Sequence, residues 1–378
     1  MSKKKVIIIG TEPWSLVHFR GHLIESLKNN NCDVITVSKK INEGMLSESL
    51  GEEFSKKKIK HIPISFKRGS ISSITDIKCF FNLYHLMVRE RPDLVLAYTI
   101  KPVIWGGLAA RLARAKFYGL ITGLGFTFQG KSFTRKVITF VSKFLYREAL
   151  RRATFVFFQN LENMNFFISN GITKRSNSGV VNGSGVDLDY FAYAPISKLS
   201  RKITFLCVAR LLGEKGLREY ARAAKIVSRV RPGSKFQLLG PEDVSPDAIK
   251  IEEINSWSNG NFLEYLGETE DVRPFIKQSS VFVLPSYHEG LPRSVIEAMA
   301  MGRPIITTTA PGCKETVDNN VNGFKVPVAD TKSLAEKMIW FIDNRQKIID
   351  MGVESRRMAE RLFDVKKINQ DIIDTLDL

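Results

Sequence analysis

The fold is decided by residues 6–38, VIIIGTEPWSLVHFRGHLIESLKNNNCDVITVS. VIIIG is a short β-branched run that ends in glycine, residues 17–27 are amphipathic, and DVITVS is a second apolar run. Strands that are buried on both faces are apolar throughout, and two such strands joined by a helix run parallel. The stretch therefore predicts a strand, a helix and a second strand of a parallel sheet.

The same alternation continues through the first half of the chain. Helical patterns cover residues 77–88, 106–113 and 133–151. Strand patterns lie between and after them, in DLVLAYT, KFYGLIT and ATFVFFQN. Alternation of this kind is typical of doubly wound α/β domains.

The alternation restarts after Asp187. A strand in ITFLCVA (203–209) is followed by a helix over 216–229 and by strands in KFQLLG, NFLEYLG, VFVLPS and PIITTT. We therefore expect an α/β protein of two Rossmann-like domains that face a central cleft. The domains are residues 1–190 and 191–360, and a helix in 361–378 is expected to pack back toward the first domain. Ligands of such domains bind outside the carboxyl ends of the strands.

Length and composition exclude several classes of protein. A chain of 378 residues with 44% hydrophobic and 25% charged residues is long enough for two globular domains. Only four apolar residues precede Gly10, too few for a signal peptide, and the longest uncharged stretch, 117–130, is shorter than the roughly 20 residues that span a bilayer. The chain has four separated cysteines, Cys32, Cys79, Cys207 and Cys313. They indicate reduced core thiols of a cytoplasmic protein.

The positive charge is concentrated in the first half. Residues 1–190 hold 29 Lys and Arg against 14 Asp and Glu, whereas residues 191–378 hold 27 against 25. This asymmetry indicates a polyanionic partner for the first half, either an anionic membrane surface, a nucleic acid or a phosphorylated substrate. A basic surface that only contacts water is the alternative.

The clearest functional signal is VFVLPSYHEGLPRSVIEAMAMGRPIITT, residues 281–308. A strand leads into a loop with Glu289, Gly290 and Leu291, and a helix is predicted to begin near Pro292. Backbone N–H groups at a helix N-terminus beside a glycine bind phosphate, so Gly290 and Leu291 are candidates for holding a diphosphate.

Two carboxylates flank this helix start. Glu297 follows Glu289 by eight residues, about two helical turns. Both can accept hydrogen bonds from hydroxyl groups. A solvated loop residue and a solvated helix residue are the alternatives, although the apolar surroundings of Glu297, SVIEAMAMG, favour a polar ligand.

Two cations that could bind the same ligand as Glu289 and Glu297 lie in VARLLGEKG, residues 208–216. Arg210 leaves the end of a predicted strand, and Lys215 precedes a predicted helix. Fixed cations neutralise the charge that develops on a diphosphate leaving group without a metal ion. Solvated loop cations are the alternative for each residue taken alone.

These motifs resemble family 4 of the glycosyltransferases, which have the glycosyltransferase B fold, and the resemblance covers nearly the whole chain. It implies a retaining hexosyltransferase in which Glu289 contacts the donor sugar, Glu297 binds the donor ribose, and Arg210 and Lys215 bind the diphosphate. It also implies no cofactor and no bound metal, and the chain has no evident DxD-type metal site. Leu266 is also expected to bind the donor.

The first half resembles a narrower branch through SLVHFRGHLIESL, RPDLVLAYTIKPVIWGGLAAR, ITGLG and VVNGSGVDLDYF. These stretches are similar to bacterial enzymes that add an N-acetylhexosamine, often N-acetylgalactosamine, to a sugar carried on undecaprenyl diphosphate. The resemblance implies that 1–190 binds this lipid-linked acceptor, that 191–360 binds a UDP-sugar, and that the protein is peripheral on the inner face of the cell membrane. Some relatives have a histidine where this chain has TIKP, so we expect Lys101 or Thr99 to contact the donor sugar.

Three further segments of the first half carry weaker signals. Gly123 and Gly125 in ITGLGFTFQG allow close approach to the donor, and a simple tight turn is the alternative. The basic, aromatic segment 131–152 places Phe133, Val137, Phe140, Val141 and Phe144 at helical spacing. Packing on the domain's own sheet is favoured for this stripe, with an anionic membrane as the alternative. Core burial is likewise favoured for CFFNLYHLM, residues 79–87.

Two other function classes compete with a transferase. A UDP-sugar epimerase or a phosphorylase can use the same two-domain fold. A nucleic-acid-binding protein would exploit the basic first half, but its charge is not interleaved with a known reading motif, and no nucleic-acid partner is expected.

Overall fold

The computed structural model describes residues 3–40, 45–64, 66, 74–123, 133–196 and 202–378, with the backbone alone for 45–50 and 133–136. The chain divides into two compact units. The first comprises Met1–Ser184 and Lys366–Leu378, and the second comprises Gly185–Val365.

Among the described residues, the first unit builds a seven-stranded sheet in the order β3-β2-β1-β4-β5-β6-β7. All its strand pairs are parallel. The elements are β1 (Lys4–Ile9), α1 (Pro13–Asn29), β2 (Cys32–Ser38), α2 (Met45–Lys56), β3 (Lys60–Pro63), α3 (Ile74–Glu90), β4 (Leu94–Tyr98), α4 (Ile100–Ala113), β5 (Lys116–Ile121), α5 (Phe133–Leu150), β6 (Phe155–Phe158), α6 (Leu161–Ser169), β7 (Ser178–Val180) and the C-terminal helix α13 (Val365–Leu376).

Residues 6–9, the buried part of strand β1, are all apolar because both faces of the sheet are covered. Val6 and Ile8 belong to a hydrophobic core shared with α1 and α13, whereas Ile7 and Ile9 belong to a second core shared with α3, α4 and α5. Side chains alternate between the two faces of a strand, so a sheet covered by helices on both faces needs an apolar side chain at every position.

The C-terminal helix α13 is part of the first unit. Ile372 and Leu376 are fully buried in the core that also contains Val6. The Tyr118 hydroxyl donates a hydrogen bond of 3.1 Å to the carbonyl of Leu376. The last helix therefore completes one face of the sheet formed by the beginning of the chain.

The second unit has a parallel sheet in the order β10-β9-β8-β11-β12-β13, counted over the described residues. Its elements are β8 (Thr204–Val208), α7 (Leu217–Val230), β9 (Lys235–Leu239), α8 (Ile251–Asn259), β10 (Glu264–Tyr265), α9 (Arg273–Gln278), β11 (Val281–Leu284), α10 (Arg293–Ala300), β12 (Ile305–Thr308), β13 (Gly323–Val326), α11 (Thr331–Asp343) and α12 (Gln346–Leu362). Helix α7 packs against α11, and α10 packs against α12. The predicted α/β class with two Rossmann-like domains is confirmed.

Helix α4 is longer than the sequence indicates. The helical pattern was recognisable only over 106–113, whereas the helix begins at Ile100. Pro102 lies in its first turn, where a proline removes no intrahelical hydrogen bond. The TIKP segment is therefore the start of a helix rather than a free loop.

The favoured expectation for the α5 stripe is wrong. Val137, Phe140, Val141 and Phe144 are exposed, and Phe140 retains 74% of its accessible surface. Among the α5 side chains that the structure describes, Ser142, Tyr146, Ala149 and Leu150 are buried instead. Helical spacing predicts which residues share a face, but it does not reveal which face meets the sheet.

Residues 79–87 and the four cysteines were both expected to lie in the core. In CFFNLYHLM, Cys79, Leu83, Leu86 and Met87 are buried as expected, whereas Phe81 is exposed. All four cysteines are buried and none of them forms a disulfide, as expected for core thiols. Within the described part of the chain, no helix is both long and apolar enough to span a membrane.

Candidate functional site

The sheet of the second unit has its topological switch point between β8 and β11. The chain moves from β8 outward to β9 and β10, and then returns to place β11 on the other side of β8. The segments that leave β8 and β11 therefore diverge at the carboxyl edge of the sheet, which is where open α/β sheets bind ligands. Arg210 and Lys215 lie on the first segment, and Glu289 lies on the second.

Lys215 and Glu289 form an ion pair across this switch point. The Lys215 Nζ lies 2.6 Å from Glu289 Oε1, and the two side chains are 12% and 14% exposed. The carbonyl of Glu214 accepts hydrogen bonds of 2.8 Å from the Tyr287 N–H and 3.1 Å from the Ser286 hydroxyl. The two segments are thus joined by backbone as well as by charge, and this fixes the position of the pair.

A third segment supports the Glu289 loop from behind. The Glu289 N–H donates to the carbonyl of Pro311 at 3.0 Å. Gly312 has a φ of +84°, and a Cβ placed there would lie 2.7 Å from the carbonyl oxygen of Gly290. No motif in the sequence predicts this support, although the Pro-Gly pair signals a turn.

The predicted phosphate-binding residues lie at the start of α10. Pro292 is the N-cap residue, and it has no side-chain cap hydrogen bond. Gly290 is buried and Leu291 is partly buried against the hydrophobic core of the unit. The first-turn N–H groups of this helix therefore do not donate to a capping side chain.

Glu297 is held by a neighbour on the same helix. The Arg293 Nε donates to Glu297 Oε1 at 2.8 Å, and both side chains are largely buried. Burial raises the pKa of Glu297, and the Arg293 guanidinium opposes this shift. Arg293 was not predicted as a functional residue, but its position four residues before Glu297 is the spacing of a helical ion pair.

Arg210 is oriented by Asp243, an acidic residue that was not predicted from the sequence. The Arg210 Nη1 lies 2.6 Å from Asp243 Oδ2, and Asp243 is buried while Arg210 is half exposed. Burial opposes ionisation of Asp243, but hydrogen bonds from Ser245 and the Arg210 guanidinium hold its pKa below the usual value. Asp243 lies in the loop after β9, and no sequence signal connects it with Arg210.

Glu214 adds a titratable group beside the ion pair. Burial, together with the negative charges of Glu289 and Asp247, raises its pKa, while Lys215 lowers it. The backbone N–H of Glu214 donates to Asp247 Oδ2 at 2.7 Å. The charged side chains at the switch point therefore come from the segments that follow β8 and β11 and from the loop that precedes α8.

Leu266 lies at the same edge of the sheet but farther along it. It follows β10, two strands from β8, and its N–H donates to the carbonyl of Leu238 at 2.8 Å. The structure therefore brings Lys215 and Glu289 into contact and places Leu266 at the same edge of the sheet, two strands away from β8.

The predicted residues of the first unit lie at its own switch point, between β1 and β4. Thr99 precedes α4 with φ +68° and ψ 162°, a conformation that non-glycine residues rarely adopt. The Thr11 and Thr99 hydroxyl oxygens are 2.7 Å apart. The Lys101 ammonium lies 2.8 Å from Asp76 Oδ1, and both side chains are largely buried.

The predicted glycine pair is only partly described. Gly123 has a φ of +148°, so a side chain at this position would strain the backbone. Gly125 lies outside the described residues. Among the residues that are described, no group of three His, Cys, Asp or Glu side chains could hold a metal ion.

Comparison with known proteins gives two family models that together cover most of the chain. The model described as "Glycosyl transferase 4-like" matches residues 5–160, and "Glycosyl transferases group 1" matches residues 202–344. Each match falls within one of the two structural units.

Two relatives have names that include a lipid-linked acceptor. The N,N'-diacetylbacillosaminyl-diphospho-undecaprenol alpha-1,3-N-acetylgalactosaminyltransferase of Campylobacter jejuni is 27% identical over 91% of both chains. The UDP-Gal:alpha-D-GlcNAc-diphosphoundecaprenol alpha-1,3-galactosyltransferase of Escherichia coli is 31% identical over 73% of both chains. Among solved structures, HepE of Anabaena in complex with UDP shares the fold, with a TM-score of 0.78 at 20% identity over 99% of both chains.

Proposed function

This chain belongs to the group 1, family-4-like glycosyltransferases, and we propose that it transfers an N-acetylhexosamine, such as N-acetylgalactosamine, from a UDP-sugar to a saccharide on undecaprenyl diphosphate. The observation that carries the proposal is the Lys215–Glu289 pair at the switch point of the second unit. The name of the Campylobacter relative supports the choice of sugar and acceptor. Such a reaction would serve the assembly of a bacterial surface glycan or glycoprotein glycan.

The donor diphosphate would be bound by cations and backbone N–H groups. Lys215 is held at 2.6 Å from Glu289, and a diphosphate would compete with that carboxylate for the ammonium. Arg210, oriented by Asp243, would supply a second cation. Gly290 and Leu291 would contribute backbone N–H groups at the start of α10. These groups would stabilise the charge that develops on the leaving diphosphate.

The two carboxylates would bind hydroxyl groups of the donor. Glu289, once separated from Lys215, would accept hydrogen bonds from the transferred sugar. Glu297 would accept them from the ribose, and Arg293 favours the ionised form that accepts with both oxygens. We assign the two glutamates different tasks because Glu289 lies in the loop after β11, whereas Glu297 lies within α10.

We propose a front-face displacement for the transfer step. The bond between the anomeric carbon and the diphosphate oxygen breaks, and the acceptor hydroxyl oxygen bonds to that carbon from the same face. The acceptor proton passes to the leaving phosphate oxygen, so UDP departs and the anomeric configuration is retained. The protein's contribution is to position the substrates and stabilise charge, and no step requires a side-chain nucleophile or a metal ion.

A peripheral membrane location is part of the proposal. The exposed apolar side chains of α5 include Phe140 and Phe144, and the first half of the chain is strongly basic. An apolar helix face on a basic domain binds anionic membrane surfaces. The inner face of the cell membrane is where the UDP-sugar and the lipid-linked acceptor would meet.

The proposal is tested by transfer assays with the purified full-length protein. A panel of UDP-sugars is supplied with and without an undecaprenyl-diphosphate-linked monosaccharide, in the presence of a chelator. We expect UDP release with one UDP-N-acetylhexosamine, only when acceptor is present, and a product with retained configuration. Conversion of the donor without acceptor would instead indicate an epimerase, and no turnover with any UDP-sugar would contradict the proposed donor class.

A further inference from the structure

The first unit contains a cavity of about 730 Å³ that belongs to neither switch point. It lies between the last turns of α5 and the segment 171–177, which precedes β7. Phe144, Arg147, Arg151, Thr173 and Lys174 are among its lining residues, and we call it the basic pocket.

Three cations of the basic pocket have no acidic partner among the described residues. Arg147, Arg151 and Lys174 make no ion pair with any residue that the structure describes. The acidic lining residue, Glu148, is engaged by Arg111, whose Nη1 lies 3.1 Å from Glu148 Oε2. Three cations without an acidic partner around one cavity indicate an anionic ligand.

Thr173 provides an independent indication of a polar ligand. Thr173 is 8% exposed, and its hydroxyl has no hydrogen-bond partner among the described residues. A buried hydroxyl without a partner is costly and uncommon. An oxygen of a bound phosphate would accept the hydrogen bond that Thr173 can donate.

The basic pocket adjoins the exposed apolar face of α5. Phe144 lines the pocket and also belongs to the exposed stripe with Phe140. A phosphate next to an apolar surface is the chemistry of a phospholipid, whose headgroup is anionic and whose chains are apolar. A free phosphate would use only the pocket.

The basic pocket lies far from the switch point of the first unit. Helix α5 ends just before β6, and the segment 171–177 ends at β7, so the pocket lies at the edge where these parallel strands begin. The switch point of this unit lies at the opposite edge, where β1 and β4 end. Since α5 alone is about 27 Å long, a lipid phosphate in the pocket is remote from that edge.

We propose that the basic pocket binds the phosphate of an anionic membrane phospholipid and orients the protein on the bilayer. The inference rests on the peripheral membrane location proposed above. It names a specific headgroup site in addition to the apolar face of α5, and it assigns the pocket to bulk phospholipid rather than to the diphosphate of the acceptor.

The test is binding of the full-length protein to phosphatidylcholine vesicles with or without phosphatidylglycerol. The triple variant Arg147→Gln, Arg151→Gln, Lys174→Gln removes the pocket cations. The matched control Lys56→Gln, Lys58→Gln, Lys367→Gln removes the same charge from α2, the residues after it and α13, which cover the other face of the sheet. We expect the pocket variant to lose at least about tenfold in affinity for phosphatidylglycerol vesicles, and the control to lose much less.

Equal losses in the two variants would overturn the inference, because they would show that only total charge matters. Failure of the unmodified protein to bind either vesicle would instead contradict the proposed membrane location. The acceptor's diphosphate is tested separately by transfer assays with a short-chain polyprenyl-diphosphate saccharide in detergent without phospholipid. An unchanged KM for this acceptor in the pocket variant is expected, and a raised KM would assign the pocket to the acceptor.

A single neutral substitution tests the site without changing the charge. Thr173→Val keeps the shape of the side chain and removes the buried hydroxyl, so the fold is not expected to lose stability. We expect weaker binding to phosphatidylglycerol vesicles and an unchanged Tm, with Thr173→Ser restoring the binding. Unchanged binding by Thr173→Val would overturn the role of the hydroxyl.

Discussion

At the residue scale, the candidate site is a set of ion pairs between distant parts of the chain. Lys215 and Glu289 are 74 positions apart and approach to 2.6 Å. Sequence patterns identified both residues, and they identified Arg210 and Glu297 by the same resemblance. They did not identify Asp243 as the partner of Arg210, because that contact depends on the loop after β9 folding over the end of β8.

The carboxylate of Glu289 is expected to act in transfer rather than in binding UDP. Glu289→Gln preserves the size of the side chain but cannot pair with Lys215 as an anion. The Lys215 ammonium then remains available to the diphosphate, so we expect UDP affinity to be unchanged or tighter while kcat falls about a hundredfold. Steady-state kinetics and calorimetric UDP binding measure the two effects.

The control for this substitution is Glu336→Gln, on the exposed face of α11 in the same unit. It should leave both kcat and UDP affinity unchanged. A Glu289→Gln variant with kcat within twofold of the unmodified enzyme would remove Glu289 from the proposed site.

Glu214 is expected to make stability depend on pH. Burial and two neighbouring carboxylates raise its pKa, so the folded protein holds this proton more tightly than the unfolded chain does. The favourable contribution is present at low pH and is lost as the pH rises through the raised pKa. Glu214→Gln cannot ionise, so its Tm should exceed that of the unmodified protein near pH 8. The difference should shrink as the pH falls toward the ordinary glutamate pKa of about 4.3. A Tm difference that is constant with pH in calorimetry would contradict this assignment.

At the element scale, the two orientations of α5 could not be distinguished from sequence. Its apolar residues and its small or polar residues each form a helical stripe, and the structure buries the stripe that contains Ser142, Tyr146 and Ala149. The reason is that α5 packs closely against α4. A Cβ added at Gly107 of α4 would lie only 2.8 Å from the carbonyl oxygen of Ala149 in α5. Packing between neighbouring helices, rather than hydrophobicity alone, decides which face is buried.

The exposed face of α5 gives a prediction for membrane binding. Phe140→Ser combined with Phe144→Ser should weaken vesicle binding about tenfold or more while leaving Tm nearly unchanged, because both rings are already in contact with water. Ile226→Ser combined with Val230→Ser, on an exposed face of α7, is the control. Equal vesicle binding by the unmodified protein and the α5 variant would show that this face does not meet the membrane.

The segment after β12 gives a prediction about the Glu289 loop. Gly312→Ala adds a methyl group to a residue with φ +84° and directs it at the carbonyl groups of Glu289 and Gly290. Gly233→Ala is the matched control, because Gly233 has φ +99° but nothing within 4 Å of the added methyl group. We expect Gly233→Ala to cost about 1 kcal/mol of stability from backbone strain, and Gly312→Ala to cost more because its methyl group also meets the Glu289 and Gly290 carbonyls. Only Gly312→Ala should lower kcat/KM, by about tenfold. Equal kcat/KM in the two variants would contradict the supporting role of this segment.

At the scale of the whole molecule, the chain begins and ends in the same unit. Residues 366–378 pack as a helix on the sheet built by the first 184 residues, so the first unit is assembled from segments on both sides of the second in sequence. The two halves recognised in the sequence correspond to two sheets with their own cores.

Removal of buried side chains from α13 should therefore destabilise a sheet that is distant in sequence. Ile372→Ala and Leu376→Ala remove fully buried groups, and each should cost about 2–5 kcal/mol. Hydrogen exchange measures the effect, because the amides of β1 should exchange faster in both variants. The exposed neighbour Asp374→Ala should leave that exchange unchanged. Protection of β1 that persists in Leu376→Ala would contradict the packing of α13 in this core.

The sequence by itself determined the α/β class, the existence of two similar halves, and the residue types that can bind a diphosphate and hydroxyl groups. These features follow from periodic burial and from local motifs, which are encoded over short stretches of chain. Only the tertiary structure decided that Lys215 meets Glu289, that Asp243 orients Arg210, and that the apolar stripe of α5 faces outward. Those outcomes depend on which strands become neighbours and which helix faces fit together, and such long-range packing has no signature within any single segment.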